Sequence, residues 1–155
     1  MLDLYHEFKA LIAQLTERKI DYALCGGLAM AVHGTPRATV DIDLLILTES
    51  LETVKALANE LGYTLEAQPM QFASGTIDIR RLVKLDPDSD DILILDLLLV
   101  TPPLREVWES RIEVEWENGK LRVVSREGLI ALKSFRMSGQ DLDDIKQLRE
   151  NNDER

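Results

Sequence analysis

The sequence predicts an α/β (α+β) fold in which one mixed β-sheet is flanked by helices and a pair of helices closes the C-terminal end. Segments with apolar residues at helical spacing alternate along the chain with short segments that are continuously apolar or alternate in polarity, as strands do. Residues 92–100 are apolar on both faces, which is typical of a central strand. Because a length of 155 residues is typical of one domain, we expect a single domain, with a mixed-sheet core over 1–124 and C-terminal helices over 125–155.

The first half of the chain begins with a strongly amphipathic segment. Leu4, Phe8, Leu11 and Leu15 recur every three to four positions and predict a helix over 2–18. Glycines and prolines between the later apolar segments mark their turns. The remaining elements of this half are expected as a strand over 22–25, a brief helix over 28–32, a strand over 40–47, a helix over 51–61, and strands over 63–67 and 76–85.

The second half contains the central strand and a predicted hairpin. Asn118-Gly119 is a strong hairpin signal, and it joins predicted strands over 112–116 and 120–124. Ser125 is a good N-cap for a helix that follows it. The side chains expected on the core face of that helix are Leu129, Leu132 and Phe135. A last helix is expected from Asp141.

The composition excludes several classes of protein. With 45% hydrophobic and 30% charged residues, the chain has the balance of a globular protein and not of a disordered one. Its net charge of −10 argues against a broad surface for nucleic-acid phosphates, which requires Lys and Arg. The single cysteine, Cys25, rules out an internal disulfide and suits a reducing compartment. Because no apolar run is long enough to span a bilayer and the N-terminus lacks a secretory signal, we expect a cytoplasmic protein.

Two aspartates lie on one face of a predicted strand. Asp41 and Asp43 are two residues apart, so their side chains leave the same face with Cα atoms about 6.6 Å apart. Neighbouring carboxylates repel each other unless a cation compensates them, and Mg²⁺ prefers hard oxygen ligands of this kind. The alternative is a solvated face of an edge strand. The apolar residues on the opposite face, Ile42, Leu44 and Ile46, favour an interior strand that emerges at a cleft, and hence a metal site.

A third aspartate, Asp96, is the single charge within the apolar segment 92–100. An unpaired carboxylate buried there would cost several kcal/mol, so it must be paired, protonated or metal-bound. One interpretation places it beside the first two aspartates on a neighbouring strand, as the third acid of one metal site. The alternative is a structural acid that an arginine or backbone donors satisfy. Asp78 competes for the third position, but the nearby Arg80 and Arg81 favour a surface strand of ion pairs.

The dipeptide Gly26-Gly27 follows an apolar segment that predicts a strand. Glycines at a strand-to-helix turn permit close backbone approach, and the N-terminus of the following helix attracts phosphate. The alternative is a plain turn without a ligand. The spacing excludes a dinucleotide-binding G-x-G-x-x-G motif, and the lack of a following Gly-Lys-Ser/Thr excludes a P-loop.

Taken together, these residues resemble the nucleotidyltransferase signature. In that superfamily an apolar strand ends in Gly-Gly or Gly-Ser, an Asp-x-Asp lies on the next strand, and a third Asp follows on a later apolar strand. Here Gly26-Gly27, thirteen intervening residues and Asp41-Ile42-Asp43-Leu44 match the first two parts, and Asp96 matches the third. The stretch from His33 to Asp43 is similar to the minimal bacterial branch that includes the AbiEii-type toxins of type IV toxin–antitoxin systems.

The C-terminal segment resembles the same branch. There a helical Lys is followed by Arg, then by Lys-Asp and by Asp-Ile or Asp-Leu. The residues that match these positions are Lys133, Arg136, Asp141 and Asp144-Ile145. Gln140 replaces the second Lys, so one basic residue of the pattern is missing.

The resemblance implies a nucleotidyltransferase-like fold and the transfer of a nucleoside monophosphate from an NTP to an acceptor hydroxyl, with release of pyrophosphate. It implies two Mg²⁺ ions, and it implies that Asp41, Asp43 and Asp96 are both the metal ligands and the catalytic residues. The residues that it implies for nucleotide binding are Gly26, Gly27, Arg37, Thr39 and Lys133. For Lys133, the alternative is a lysine that extends along the surface to solvent.

The sequence does not identify a single acceptor or partner. The acceptor is expected to be an RNA such as tRNA, a protein hydroxyl or a small molecule such as an antibiotic, and a cognate antitoxin is an expected partner. An inactive module of the same fold, which binds or regulates a partner protein, is the alternative function. A metal-dependent nuclease is a third, because it also uses clustered acids.

Overall fold

An eight-stranded mixed sheet forms the centre of the computed structural model, which describes residues 1–36, 38–136 and 139–153. The helices within these ranges are α1 (Leu4–Glu17), α2 (Gly26–Val32), α3 (Leu51–Glu60), α4 (Arg105–Glu109), α5 (Arg126–Arg136) and α6 (Gly139–Asp153). The strands are β1 (Ala23–Cys25), β2 (Asp41–Ile46), β3 (Tyr63–Glu66), β4 (Met70–Phe72), β5 (Ile77–Leu85), β6 (Ile92–Leu99), β7 (Ile112–Trp116) and β8 (Gly119–Val123). In the part of the chain so described, no helix combines the length and the apolar character needed to cross a membrane.

The strands are ordered β3-β5-β6-β2-β1-β8-β7, and β4 also pairs with β5. Strand β2 is parallel to β6 and β1 is parallel to β8, whereas the other pairs are antiparallel. The mixed sheet and the C-terminal helical pair that the sequence predicts are therefore confirmed. Strand β6 lies inside the sheet between β5 and β2, as its apolar faces predict.

The helices cover the sheet in two groups. Helix α1 contacts α3 and β2, while α5 contacts α2, α4, α6 and β5. Ser125 accepts a hydrogen bond from the Gly128 amide at 3.0 Å, which confirms it as the N-cap of α5. Helix α5 therefore begins at a defined residue and packs against the sheet at β5.

Three details differ from the sequence predictions. Helix α2 begins at Gly26, two residues before the expected start. Strand β4 and helix α4 were not predicted, because three and five residues are too few to show a period. Phe135 is not on the core face of α5, since its side chain is 38% exposed. The buried residues Leu129, Leu132 and Lys133 define that face, and Phe135 projects roughly 120° away from it at 3.6 residues per turn.

Candidate functional site

The strand register brings the predicted acids together. In the parallel pair of β2 and β6, Asp43 lies directly opposite Asp96. On the far side of β6, Asp96 lies opposite Arg81 of β5, and on the far side of β2, Asp43 lies opposite Cys25 of β1. Paired residues on neighbouring strands share a face of the sheet. The four residues Arg81, Asp96, Asp43 and Cys25 therefore form one row across four strands, which we call the acid row.

Asp41 joins the acid row from the start of β2. It precedes Asp43 by two residues and so projects from the same face, as the sequence predicts. Its backbone amide and carbonyl both lie 3.4 Å from the Thr39 hydroxyl. The three aspartates of the predicted site thus share one face and neighbouring positions.

Asp96 is nevertheless paired with an arginine. The Arg81 Nε atom donates to Asp96 Oδ1 at 2.8 Å, and Nη2 donates to Oδ2 at 2.9 Å. This bidentate pair is the structural alternative that the sequence left open. Within the described ranges, no group of three or more His, Cys, Asp or Glu side chains is arranged to hold a metal ion. A metal-binding role for Asp96 therefore stays a prediction, and it requires that Arg81 move.

Arg81 is the residue of this site that the sequence interpretation missed. The expected ion pair on β5 is present, between Arg80 and Asp78, but both side chains are mostly buried, on the face of the strand opposite to Arg81. Arg81 does not join it, because it follows Ile77 and Ile79 at a spacing of two and shares their inward face. That alternation was the available signal in the sequence.

The carboxyl group of Asp43 has a raised pKa because of its position in this cluster. Burial raises the pKa of its carboxyl group to about 7, and the charges of Asp96 and Asp41 add to this effect, while Arg136 and Lys133 oppose it. Arg136 and Lys133 therefore do not fully compensate the negative charge of these carboxylates. Hard carboxylate oxygens that are buried and mutually repelling suit a divalent cation, so Asp41 and Asp43 fit the Mg²⁺ that the sequence predicts.

The two glycines of the predicted motif lie against the acid-bearing strand. Gly26 has a φ of 69°, and a Cβ atom there would overlap the Asp43 carboxylate. A Cβ atom at Gly27 would come within 2.8 Å of the Thr39 side chain. The lack of space for a Cβ atom therefore explains why glycine occupies both positions. Arg37, the remaining predicted residue of this region, lies outside the described residues.

Lys133 of α5 faces the acid row and does not reach out to solvent. Its side chain is only 5% exposed, and Nζ lies 2.8 Å from Asp144 Oδ2 and 3.9 Å from Asp141 Oδ1. One turn later, Arg136 Nε lies 3.8 Å from Asp141 Oδ2. Two acids of α6 therefore hold the basic residues of α5 at the site.

A cleft opens between the sheet and α5. Its polar floor contains Asp43, Asp96, Arg81 and Gly26. Its apolar walls come from β4, β5, β6 and α5, and they consist of Met70, Phe72, Ile77, Ile79, Leu98, Leu129 and Leu132. Lys133 and Arg136 lie on the same lining. The arrangement joins carboxylates and cations to an apolar surface, which is typical of a small-ligand site.

The chain matches one protein family over nearly its whole length. Residues 10–152 match the profile of the family described as nucleotidyl transferase AbiEii toxin, type IV TA system. No curated protein sequence matches the chain.

Solved structures show the same fold at low sequence identity. The lincosamide antibiotic adenylyltransferase LnuA, in its lincomycin-bound crystal structure, aligns with a TM-score of 0.60 and 16% identity over 93% of this chain and 95% of its own. The crystal structure of ANT(2″)-Ia in complex with adenylyl-2″-tobramycin aligns with a TM-score of 0.61 and 17% identity over 94% and 85% of the two chains. The solution structure of ANT(2″)-Ia gives a TM-score of 0.65 at 16% identity, over 94% of this chain and 80% of its own.

Proposed function

Since the chain belongs to the AbiEii family of nucleotidyl transferase toxins, we propose that it transfers a nucleoside monophosphate from an NTP to an acceptor hydroxyl and releases pyrophosphate. The observation that carries this proposal is the convergence of Asp41, Asp43 and Asp96 on one face of the sheet, beside Gly26. The pairing of Asp96 with Arg81 argues against it, but the family match does not depend on that geometry.

The proposed reaction exchanges one phosphoester bond for another. The acceptor oxygen bonds to the α-phosphorus, the bond from that phosphorus to the pyrophosphate oxygen breaks, and the hydroxyl proton leaves to a base. Asp41 and Asp43 would hold Mg²⁺, which when bound would neutralise the triphosphate and lower the pKa of the attacking hydroxyl. Asp96, as the third acid, would ligate the second ion and help accept the proton.

The nucleotide would lie along the polar floor of the cleft. The Gly26 and Gly27 amides and Thr39 would contact its phosphates, and Lys133 and Arg37 would offset its negative charge. Support for this placement comes from Lys133, which already faces Asp43 from α5. Catalysis would then come mainly from positioning and charge neutralisation.

The acceptor would lie against the apolar wall of the cleft. The proposed acceptor is an RNA such as tRNA, a protein hydroxyl or a small molecule. The structural neighbours support a small molecule, since one is lincomycin-bound and another is in complex with adenylyl-2″-tobramycin. Membership of a type IV toxin–antitoxin family supports a role as a cytoplasmic toxin with a cognate antitoxin as partner.

One observation favours a second candidate function. The bidentate Arg81–Asp96 pair neutralises the third acid, as expected of an inactive nucleotidyltransferase-fold module that acts by binding a partner. Such a module would still contain the fold and the cleft but would transfer no nucleotide.

Labelled NTPs incubated with total RNA, total protein and a panel of antibiotics separate the two candidates. We expect the wild-type protein with Mg²⁺ to label one of these pools and D43N to label none, because the central carboxylate is lost. D143N is the matched control, since Asp143 is an exposed acid of α6, and it should label like the wild type. Equal labelling by D43N and wild type would contradict the proposed site, and no labelling by the wild type with any NTP would favour the binding module.

A further inference from the structure

Each described cation that lines the cleft has a carboxylate partner. Arg81 pairs with Asp96, Lys133 pairs with Asp144, and Arg136 lies 3.8 Å from Asp141. An anionic ligand that enters the cleft therefore competes with a protein acid for each of these cations. Partner exchange of this kind releases a carboxylate for each cation that the ligand captures.

The Arg81–Asp96 pair is the one whose exchange changes the acid row. The Asp96 side chain is 6% exposed, whereas the Arg81 side chain is 34% exposed and lines the cleft. Both side chains line the cleft, and the guanidinium is the more exposed of the two. It contacts both carboxylate oxygens, and its positive charge repels any divalent cation that approaches them.

A triphosphate offers the guanidinium an equivalent partner. Phosphate oxygens accept the same two parallel N–H bonds that Asp96 accepts, and charge-assisted pairs of both kinds are similar in geometry. Movement of Arg81 to a phosphate would leave Asp96 beside Asp43 with its oxygens open to a cation.

We propose that Arg81 withholds Asp96 from divalent cations in the nucleotide-free protein and releases it when a triphosphate captures the guanidinium. A divalent cation that binds before the nucleotide arrives would then not be ligated by Asp96. This inference rests on the proposed function, because it makes nucleotide binding the event that completes the metal site.

The first test measures Mn²⁺ binding to the nucleotide-free protein by the EPR signal of the free ion. R81Q should bind Mn²⁺ about tenfold more tightly than wild type, because one nearby positive charge is removed and one carboxylate is freed. R81Q/D96N, which replaces both charges with amides, should bind within about threefold of wild type. R80Q is the matched control, since it removes an arginine from the opposite face of β5, and it should leave Mn²⁺ affinity unchanged.

Two results would overturn the withholding step. One is unchanged or weaker Mn²⁺ binding by R81Q. The other is a loss of tenfold or more in R81Q/D96N, which would show that Asp96 already ligates the ion when Arg81 is present. The double variant keeps the test decisive if R81Q alone does not fold, because it buries no unpaired charge.

The second test follows the Arg81 Nε–H signal by NMR in metal-free protein, assigned by its loss in R81K. Inorganic triphosphate should shift this signal, while the Arg80 signal and a chloride titration at equal ionic strength serve as controls. An Arg81 signal that triphosphate does not move would overturn the release step. Neither test requires turnover, so Mn²⁺ and NMR results as expected with no labelled acceptor would contradict the proposed function and leave this inference standing.

Discussion

At the scale of single residues, Asp43 makes the stability of the fold depend on pH. Its carboxyl pKa is about 7 in the folded chain, raised from 3.8 by burial first and by Asp96 and Asp41 next. Between these two values the folded state binds more protons than the unfolded state, so the free energy of unfolding falls as pH rises from about 4 to about 7. Above pH 7 the loss is complete and stays constant.

D43N should remove this loss. The asparagine does not titrate, so the variant should exceed wild type in unfolding free energy by up to about 4 kcal/mol at pH 8 and match it near pH 4. Urea denaturation at both pH values measures the difference, and the low-pH comparison is the internal control. Mg²⁺ should stabilise the wild type at pH 8 and leave D43N nearly unaffected. A difference that does not vary with pH would contradict the shifted pKa.

The candidate site could be predicted in part from residue patterns. Gly26-Gly27, Asp41 and Asp43 stand out because glycine pairs and spaced acids are visible in the sequence, and Asp96 stands out as a charge in an apolar segment. Its place beside Asp43 was expected and is confirmed by the strand register. The Arg81 contact was not predicted, because the alternation in β5 indicates only the face of Arg81, and the register that places Arg81 opposite Asp96 depends on how the turn 86–91 pairs β5 with β6.

At the scale of elements, the contact between α5 and α6 depends on a buried ion pair. Lys133 and Asp144 are 5% and 1% exposed in their side chains and lie 2.8 Å apart. Removal of one partner leaves the other charge buried, which is strongly destabilising. The same pair places a cation at the cleft, so stability and site geometry are linked here.

D144N should lower the unfolding free energy by about 3 kcal/mol, because the Lys133 ammonium loses its nearest counter-charge. The neighbouring exposed residue provides a matched control, and D143N should change stability by less than about 0.5 kcal/mol. Thermal unfolding of the two variants beside wild type measures both effects. Equal midpoints for D144N and D143N would show that the pair does not hold α6 in place.

Long elements follow from local pattern, and short ones do not. Helices α1 and α3 have the expected bounds to within one or two residues, since each shows several apolar repeats. In α5, Lys133 is buried on the core face, whereas Phe135, which the pattern had assigned to that face, is exposed. Its burial is possible because two acids on α6 compensate it, and no local pattern on α5 contains that information.

At the scale of the whole molecule, the fold class was predictable because alternating helical and strand patterns imply layered α/β packing.

The net charge of −10 affects the stability of the folded chain. Repulsion among the excess acids opposes the compact state, and salt screens it. Exposed ion pairs such as Arg18–Glu60 oppose this trend only weakly, because surface pairs contribute little.

A rise in NaCl from about 10 mM to about 200 mM should therefore raise the unfolding midpoint by roughly 2–4 °C, which corresponds to about 1 kcal/mol for a domain of this size. Scanning calorimetry at constant pH measures the shift. Sorbitol at the same osmolality as the added NaCl is the control, since it stabilises by osmotic effects but does not screen charges. A midpoint that falls with salt would mean that local attractions outweigh the net repulsion.

The acid row also limits how the length of this chain can vary. Side chains alternate with a period of two along β6, so one residue inserted or deleted between Ile92 and Asp96 would turn the carboxylate to the opposite face and bring a leucine to the cleft. Relatives that preserve the site should therefore differ in length within turns such as 86–91 and not within β2 or β6. In an alignment of relatives, gaps should therefore be found in these turns and not within β2 or β6.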